Sequence, residues 1–440
     1  MSERQFESRR GFLKGSTAAL AGTALAGSLN LGVARTAHAQ GSDQIKAALI
    51  GCGGRGNGAV QNYLNATENT KIVAVADAFE DKAQGAANRW RGNPKYKDRI
   101  DISDDRVFWG LDAYKKAIDS GIDMIIVATP PGFRPVHYKA AVEAGKHVFM
   151  EKPCCVDAPG YRTLVEANKM ADEKGLKVGV GLQRRHNKGY VRGIQEIHDG
   201  KYGDLILLQA YWNGGGIWWR SGQEGWTEMQ KQVNNWYHFC WLSGDNICEQ
   251  HVHNLDVCNW AKDAHPAEAN GMGGGEVRAM DNPGGTEIFD HHFVEFTYPD
   301  GSKMYSQCRH VKNTFGSVSE HAFGTQGRGG MTANGDITDR GGVEFKFGDY
   351  DQEHYALVEA IRNGTPYNEG HYGATSSFTA VLGRMATYSG KVIKWDEAVE
   401  KGKQEAPGIE TFTMESEAPV QPNEDGTYDH PIPGRYNPFA

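Results

Sequence analysis

The feature that most constrains this chain is a glycine loop set directly after a short apolar run. Ala47-Ala48-Leu49-Ile50 leads into Gly51-Cys52-Gly53-Gly54-Arg55-Gly56, which fits G-x-G-x-x-G, and a helical stretch follows from Gly58 to Leu64. Strand, glycine turn and helix in that order make a cradle for a diphosphate. Gly51 allows the tight turn, Gly53 admits close backbone approach, and Gly56 lets helix and strand pack together. The helix N-terminus adds free N–H groups and the positive end of its dipole. Glycine is abundant here, 56 of 440 residues, so chance matches are common and context must carry the reading.

The next apolar run, Ile72–Ala76, ends in Asp77. An acid at that strand end can bind both ribose hydroxyls of an adenosine and would repel a 2′-phosphate, which favours NAD over NADP. The expected cofactor-binding set is Gly51, Gly53, Gly54, Arg55, Gly56 and Asp77, with Arg55 facing either a phosphate or solvent.

Further runs at Met124–Ala128, His147–Met150 and Lys177–Gly181 read as strands, and Arg134–Ala144 and Tyr161–Glu173 carry the three- and four-residue spacing of amphipathic helices. Strands alternating with helices imply βαβ units and a parallel sheet. After about Arg185 the pattern changes to longer alternating strands at Leu205–Tyr211, Phe289–Tyr298 and Lys303–Arg309, with a Pro-Asp-Gly-Ser turn at 299–302. Helices return at Gln352–Arg362 and about Thr375–Ser389. The expected fold class is α/β: an N-terminal Rossmann dinucleotide-binding domain (40–181), then a C-terminal α+β domain with a large, open, mostly antiparallel sheet (182–405). An extended arm or tail (406–440) completes the chain.

Residues 1–39 read as a twin-arginine signal peptide, from Ser8-Arg9-Arg10-Gly11-Phe12-Leu13-Lys14, the Ala/Gly-rich run after it, and Ala37-His38-Ala39 as a small-x-small cleavage site. That implies export to the periplasm in a folded state. Removing the segment takes away five basic and two acidic residues and moves the net charge from −8 to −11. Such a surface disfavours nucleic acid and anionic lipid, and no membrane anchor is expected after cleavage. The seven cysteines show no metal-finger spacing and read as free, buried thiols.

In open α/β sheets ligands bind at the carboxyl ends of the strands. Thr129-Pro130 follows one strand and Glu151-Lys152-Pro153 follows the next, so Thr129, Pro130 and Glu151 join the expected cofactor contacts. Lys152 falls near the reacting end, where an ammonium can stabilise a developing alkoxide. His137 and His147 read as structural.

These residues carry a family resemblance. From about Ile45 to Val399 the chain resembles the Gfo/Idh/MocA oxidoreductases. The match runs through the glycine loop, Ala128-Thr129-Pro130, Gly145-Lys146-His147-Val148 and Glu151-Lys152-Pro153. It continues at Gln183-Arg184-Arg185-His186-Asn187, Gly244–Asp256, Asn368-Glu369-Gly370 and Gly383-Arg384-Met385. The resemblance implies a reaction centre lined by the lysine of Glu-Lys-Pro and an Asp-x-x-x-His pair. Lys152 and His253 match. Glu249 stands where many members have Asp, and Gln250-His251 replaces a common Ile-Gly.

Read on their own, Glu249 and His253 are four apart and share one face of a helix. On a strand, His251 and His253 would share a face and could hold a metal with Glu249, aided by His291 and His292. The preferred assignment is catalytic, with no metal: His253 as base, Lys152 as electrostatic stabiliser, Glu249 as orienting or relaying group. Asp256 reads as structural. Six tryptophans lie between Trp212 and Trp241, and either core packing or stacking on sugar faces would explain them.

The expected function is NAD-dependent hydride transfer at a hydroxyl carbon of a sugar, polyol or glycoside, on a tightly bound cofactor, for which a redox-neutral cycle of reduction and reoxidation is attractive. Two alternatives stay open: an NAD-dependent glycosidase working through transient oxidation and elimination, and a non-catalytic sugar-binding protein with structural NAD. A homo-oligomer, dimer or tetramer, is expected from the open sheet.

Overall fold

The computed structural model describes residues 44–275 and 285–440. The expected signal segment, 1–39, lies outside the described residues.

Six strands form the first sheet: β1 (Ile45–Ile50), β2 (Thr70–Asp77), β3 (Val107–Trp109), β4 (Met124–Val127), β5 (His147–Met150) and β6 (Val178–Val180), in the order β3-β2-β1-β4-β5-β6. Every pairing is parallel. This is the doubly wound order, whose direction reverses between β1 and β4 and leaves a crevice at their carboxyl ends. Apolar side chains are buried on both faces of the sheet, as its parallel strands require. The flanking helices are α1 (Gly54–Ala66), α2 (Glu80–Arg91), α3 (Ala113–Ile118), α4 (Arg134–Glu143) and α5 (Ala158–Glu173). Asp157 caps α5 by accepting from Gly160 N at 2.7 Å.

The chain then passes through a short helical turn, Gln183–His186, and α6 (Lys188–His198) into β7 (Leu205–Gly214). Four short or medium helices follow: α7 (Glu228–Asn234), α8 (Cys240–Ser243), α9 (Asn246–Glu249) and α10 (Val252–Lys262). The second sheet adds β8 (Glu268–Gly274), β9 (His291–Thr297), β10 (Lys303–His310), β11 (Ser317–Gly324) and β12 (Arg328–Gly330). A small ribbon pairs β13 (Asp339–Arg340) with β14 (Val343–Glu344). The last elements are α11 (Asp349–Asn363), α12 (Gly370–Ser389), β15 (Ile393–Lys394) and α13 (Trp395–Lys401).

The second sheet runs β12-β11-β7-β10-β9-β8-β15. All its pairings are antiparallel except β7 with β10. The 299–302 turn joins β9 to β10, with Gly301 at φ +86° as a hairpin turn demands. One face is covered by α10 and α12; α12 packs against α5 as well, and so ties the two sheets together. Gly383 makes that approach possible, because a Cβ there would sit 2.8 Å from the Phe296 ring and 2.9 Å from Ile247.

Helix α1 begins at Gly54, four residues before the sequence-based start, since the glycines themselves adopt the first turn. Residues 406–440 form an arm with little regular structure, and Met414, Ala418 and Tyr428 are buried against Met229, Phe239 and Trp241.

Candidate active site

The glycine loop is built as a close-approach turn. Gly51 has φ +98°, and a Cβ there would lie 2.6 Å from the Ala128 backbone. A Cβ on Gly56 would lie 1.9 Å from the Gly51 carbonyl oxygen. Gly53 and Gly54 instead face open space. They border a cavity of about 340 Å³ that is also lined by Asp77, Phe79, Lys82, Thr129, Pro130, His137, Trp218, Arg220 and Trp236. The loop, the N-terminus of α1 and the acid at the end of β2 thus converge on one space, and these residues fit a dinucleotide.

Asp77 Oδ2 accepts from Cys52 N at 2.7 Å, and Oδ1 accepts from Phe79 N at 3.0 Å. Burial pushes its pKa up, and those two N–H groups and Lys82 pull it back toward the charged form. Both oxygens keep lone pairs for further donors. Arg55 also borders the cavity, but its Nε donates to Glu151 Oε1 at 2.6 Å. The two residues therefore pin the glycine loop to the loop after β5. His137 lines the cavity as well, with Nδ1 3.2 Å from Thr129 Oγ1 and its ring stacked on Tyr114 at 4.2 Å. Burial, then Arg134, pushes its imidazole down to about 3.

Beyond the end of β5, Lys152 Nζ donates to the Glu249 backbone oxygen at 2.6 Å and to Glu249 Oε1 at 3.3 Å. Side-chain exposure is only 12% for Lys152 and 9% for Glu249, so the ion pair is well screened from water. Burial raises the Glu249 carboxyl, with Lys152 and then Arg134 opposing the rise. Buried Arg134 binds two strand-end loops at once, donating from Nε to the Thr129 oxygen at 2.8 Å and from Nη1 to the Pro153 oxygen at 2.6 Å.

His253 sits in the first turn of α10, buried, with its ring 6.1 Å from the Trp212 ring at 24°. Its Nδ1 has no hydrogen-bond partner. Burial holds the imidazole well below its ordinary value, and Lys152, Arg184 and Arg55 add repulsion. The ring is therefore neutral at physiological pH, as a general base must be.

The single helix expected to carry Glu249 and His253 is broken: α9 ends at Glu249 and α10 begins at Val252. Glu249 consequently pairs with Lys152. His251 turns into the core, its Nε2 2.7 Å from Ser306 Oγ. His292 lies 2.9 Å from Thr387 Oγ1 and 3.2 Å from Asp245. Among the described residues, no three His, Cys, Asp or Glu side chains are grouped to hold a metal. Asp256 is a buried partner of Arg185, which donates to both its oxygens.

Several site residues escape sequence reasoning. Arg184 bonds Glu320, which also accepts from Tyr190 OH and Asn254, forming a polar wall beside Trp212. Glu353 on α11 is buried with both oxygens unpartnered, near Glu151 and Arg55, and its carboxyl is pushed far up by burial. Arg184 and Asn254 fall in segments that carry the resemblance, but their partners Glu320 and Tyr190, and Glu353, are brought in by long-range packing that no local motif marks. Of the six clustered tryptophans, Trp218 and Trp236 line the dinucleotide cavity, Trp226 stacks on Phe79, Trp241 is core, and only Trp212 reaches His253. All seven cysteines are buried thiols, none in a disulfide among the described residues.

The strand order, the glycine loop and Asp77 define a dinucleotide-binding Rossmann domain of the oxidoreductase type. Residues 45–182 match the Gfo/Idh/MocA family model, described as an oxidoreductase family with an NAD-binding Rossmann fold. The likeness to that family lies in this stretch, the first sheet and its helices. The chain is similar to inositol 2-dehydrogenase of Salmonella typhimurium, 26% identical over 167 residues, covering 38% of this chain and 45% of that protein. It is similar to the NAD-dependent scyllo-inositol 2-dehydrogenase of Bacillus subtilis, 28% identical over 172 residues, covering 38% and 44%. The match thus spans less than half the length of these curated relatives. Its fold resembles scyllo-inositol dehydrogenase from Lactobacillus casei, solved with NAD(H) and scyllo-inositol, at TM-score 0.59 and 16% identity over 80% of this chain and 99% of that one. The aldose-aldose oxidoreductase of Caulobacter crescentus gives the same TM-score, identity and coverage.

Proposed function

We propose that this chain is an NAD-dependent oxidoreductase that transfers hydride between a hydroxyl-bearing carbon of a sugar, polyol or glycoside and a nicotinamide that stays bound. The observation that carries the reading is Lys152, just past the carboxyl end of β5, bonded to Glu249, with the buried imidazole of His253 within its electrostatic reach. The inositol dehydrogenases among the relatives support a polyol.

NAD, when bound, supplies the hydride acceptor, cradled by Gly53, Gly54 and Asp77. Lys152 has three N–H donors and uses two on Glu249, which leaves one for the substrate oxygen. That remaining donor steadies the oxygen as negative charge grows on it. The neutral imidazole of His253 accepts the hydroxyl proton. Glu249 holds the ammonium in place. The test is to denature the purified protein, identify the released nucleotide, and screen polyols and sugars for growth of bound NADH absorbance. Loss of the reading would follow if no nicotinamide were bound and none could be loaded.

Two further parts of the reading rest on the sequence and the sheet. The twin-arginine pattern at Ser8–Lys14 supports export of the folded chain, cofactor aboard, to the periplasm. Cell fractionation of an Arg9→Lys/Arg10→Lys variant should find it retained in the cytoplasm. The outer face of the second sheet, where Met272 and Phe293 are exposed among the described residues, supports a homo-oligomer.

A further inference from the structure

The dinucleotide cavity has a wall that the Rossmann topology does not supply. After β7 the chain runs without regular structure from 215 to 226, then through α7 and a helical turn, Trp236–His238. From this segment Trp218, Arg220, Val233 and Trp236 line the same cavity as Gly53, Gly54 and Asp77.

The segment is fixed in place. Arg220 N donates to Asn235 Oδ1 at 2.8 Å, and Asn235 Nδ2 returns a bond to the Arg220 oxygen at 2.8 Å. Arg220 Nη1 donates to the Asn234 oxygen at 3.1 Å. His238 Nε2 lies 2.8 Å from the Trp218 oxygen. Trp226 stacks on Phe79, two residues after Asp77, at 5.3 Å and 26°. The C-terminal arm braces it, since Thr227 Oγ1 donates to the Met414 oxygen at 2.7 Å and Gln232 Nε2 to the Val420 oxygen at 2.6 Å.

Its charge faces the cavity. The Arg220 guanidinium lies 3.7 Å over the Trp218 ring. Arg220 and Lys82 both line the cavity with Asp77, and the Lys82 ammonium lies 4.2 Å over the Phe79 ring. Lys82 is attracted to Asp77 first and repelled by Arg220 after it. Asp77 offsets Lys82, which leaves the Arg220 guanidinium as a surplus positive charge on one partly enclosed space, and such a charge favours a further anion there. A dinucleotide diphosphate is such an anion.

We propose that residues 215–238 are a built-in cover for the dinucleotide. Arg220 and Lys82 set their charge against the diphosphate, and Trp218 and Trp236 form the aromatic wall that makes NAD a retained group instead of a freely exchanging one. The proposal rests on the reading of this site as an NAD site.

The test uses the full chain loaded with NAD and measures release by a chase with excess ADP-ribose, in wild type, Arg220→Gln and Trp218→Leu. Melting temperatures without cofactor check folding. Wild type should keep NAD through gel filtration. Arg220→Gln should release it roughly 10- to 100-fold faster, with weaker salt dependence. Trp218→Leu should also release faster, with the wild-type salt dependence. If wild type binds NAD but both variants release it at the wild-type rate, the cover is overturned and the NAD site stands. If wild type itself exchanges NAD as fast as the chase mixes, the cover is likewise overturned. If no form binds NAD, the site reading falls together with the cover.

Discussion

Lys152 and His253 have opposite surroundings. The ammonium is matched to the Glu249 carboxylate and carbonyl, whereas the imidazole is buried beside cations and stays neutral. Replacing Lys152 by Met keeps the length of the side chain and removes the charge. Turnover should fall by roughly 10²- to 10³-fold, the usual loss for one preorganised donor at a developing oxyanion. Equilibrium titration should show NAD still binding, and wild-type turnover in the variant would remove Lys152 from the chemistry. The pH profile tests His253. A base works only when unprotonated, so activity is present above its pKa and lost below it. An ordinary histidine would put the acid limb of kcat/KM near 6.5. The depressed value moves that limb to lower pH, so kcat/KM should stay flat from pH 8 to below 6. An inflection at about 6.5 would contradict the neutral, buried imidazole.

At the scale of elements, the parts legible in the sequence are those whose pattern is local. The strands β1, β2, β4 and β5 each hold an unbroken apolar stretch, at 47–50, 72–76, 124–127 and 148–150, and the glycine loop announces the turn between β1 and α1. By contrast β3 has three residues, and β8 reads Glu-Ala-Asn-Gly-Met-Gly-Gly, a sequence that looks like a loop and is held as a strand by its neighbours β9 and β15. Helix α2 buries mainly alanines, so its apolar stripe is faint. The site divides in the same way. Lys152, Glu249 and His253 lie in recognisable motifs, while Arg134, the Arg184–Glu320 pair, Glu353 and the Trp218–Arg220 wall depend on distant pieces of chain meeting. Helix α12 offers a test of such a meeting. Its Arg384 is 2% exposed and donates from Nη2 to Glu405 Oε1 at 2.8 Å, with Nε and Nη1 unpartnered. Glu405 N in turn donates to Asp157 Oδ2 at 3.0 Å, which anchors the start of the C-terminal arm to the cap of α5. Glu405→Ala leaves a buried guanidinium uncompensated and should cost about 3–5 kcal/mol in urea unfolding. A loss under about 1 kcal/mol would mean that the arm is not secured through this pair.

For the whole molecule, the second sheet poses a question of balance. Its inner face is buried under α10 and α12, with Leu208, Ala210, Val294, Phe296, Met304 and Cys308 in one core. Its outer face carries Met272 opposite Phe293, and Phe293 lies beside Tyr305 at 6.1 Å between rings. Met272 is 70% exposed and Phe293 38%. Leu207 and Tyr211 extend the row on β7. Side chains of this type spread over four adjacent strands form an apolar patch that monomers rarely leave to water. Polar neighbours, Gln209, Glu295 and Gln307, interrupt the row, as they do in interfaces that assemble from folded subunits. A second copy related by a two-fold axis would bring the same patch against itself and bury it without altering either fold. Phe293→Asp places a charge at the middle of that patch, and in a two-fold interface each substitution counts twice. Sedimentation of the wild-type chain should show a dimer or tetramer at micromolar concentration. The variant should sediment as a monomer, with NAD binding retained because the cavity lies in the first sheet and its cover. A wild-type monomer, or an oligomer indifferent to Phe293→Asp, would mean that this face meets solvent and that the sheet is shielded by its polar residues alone.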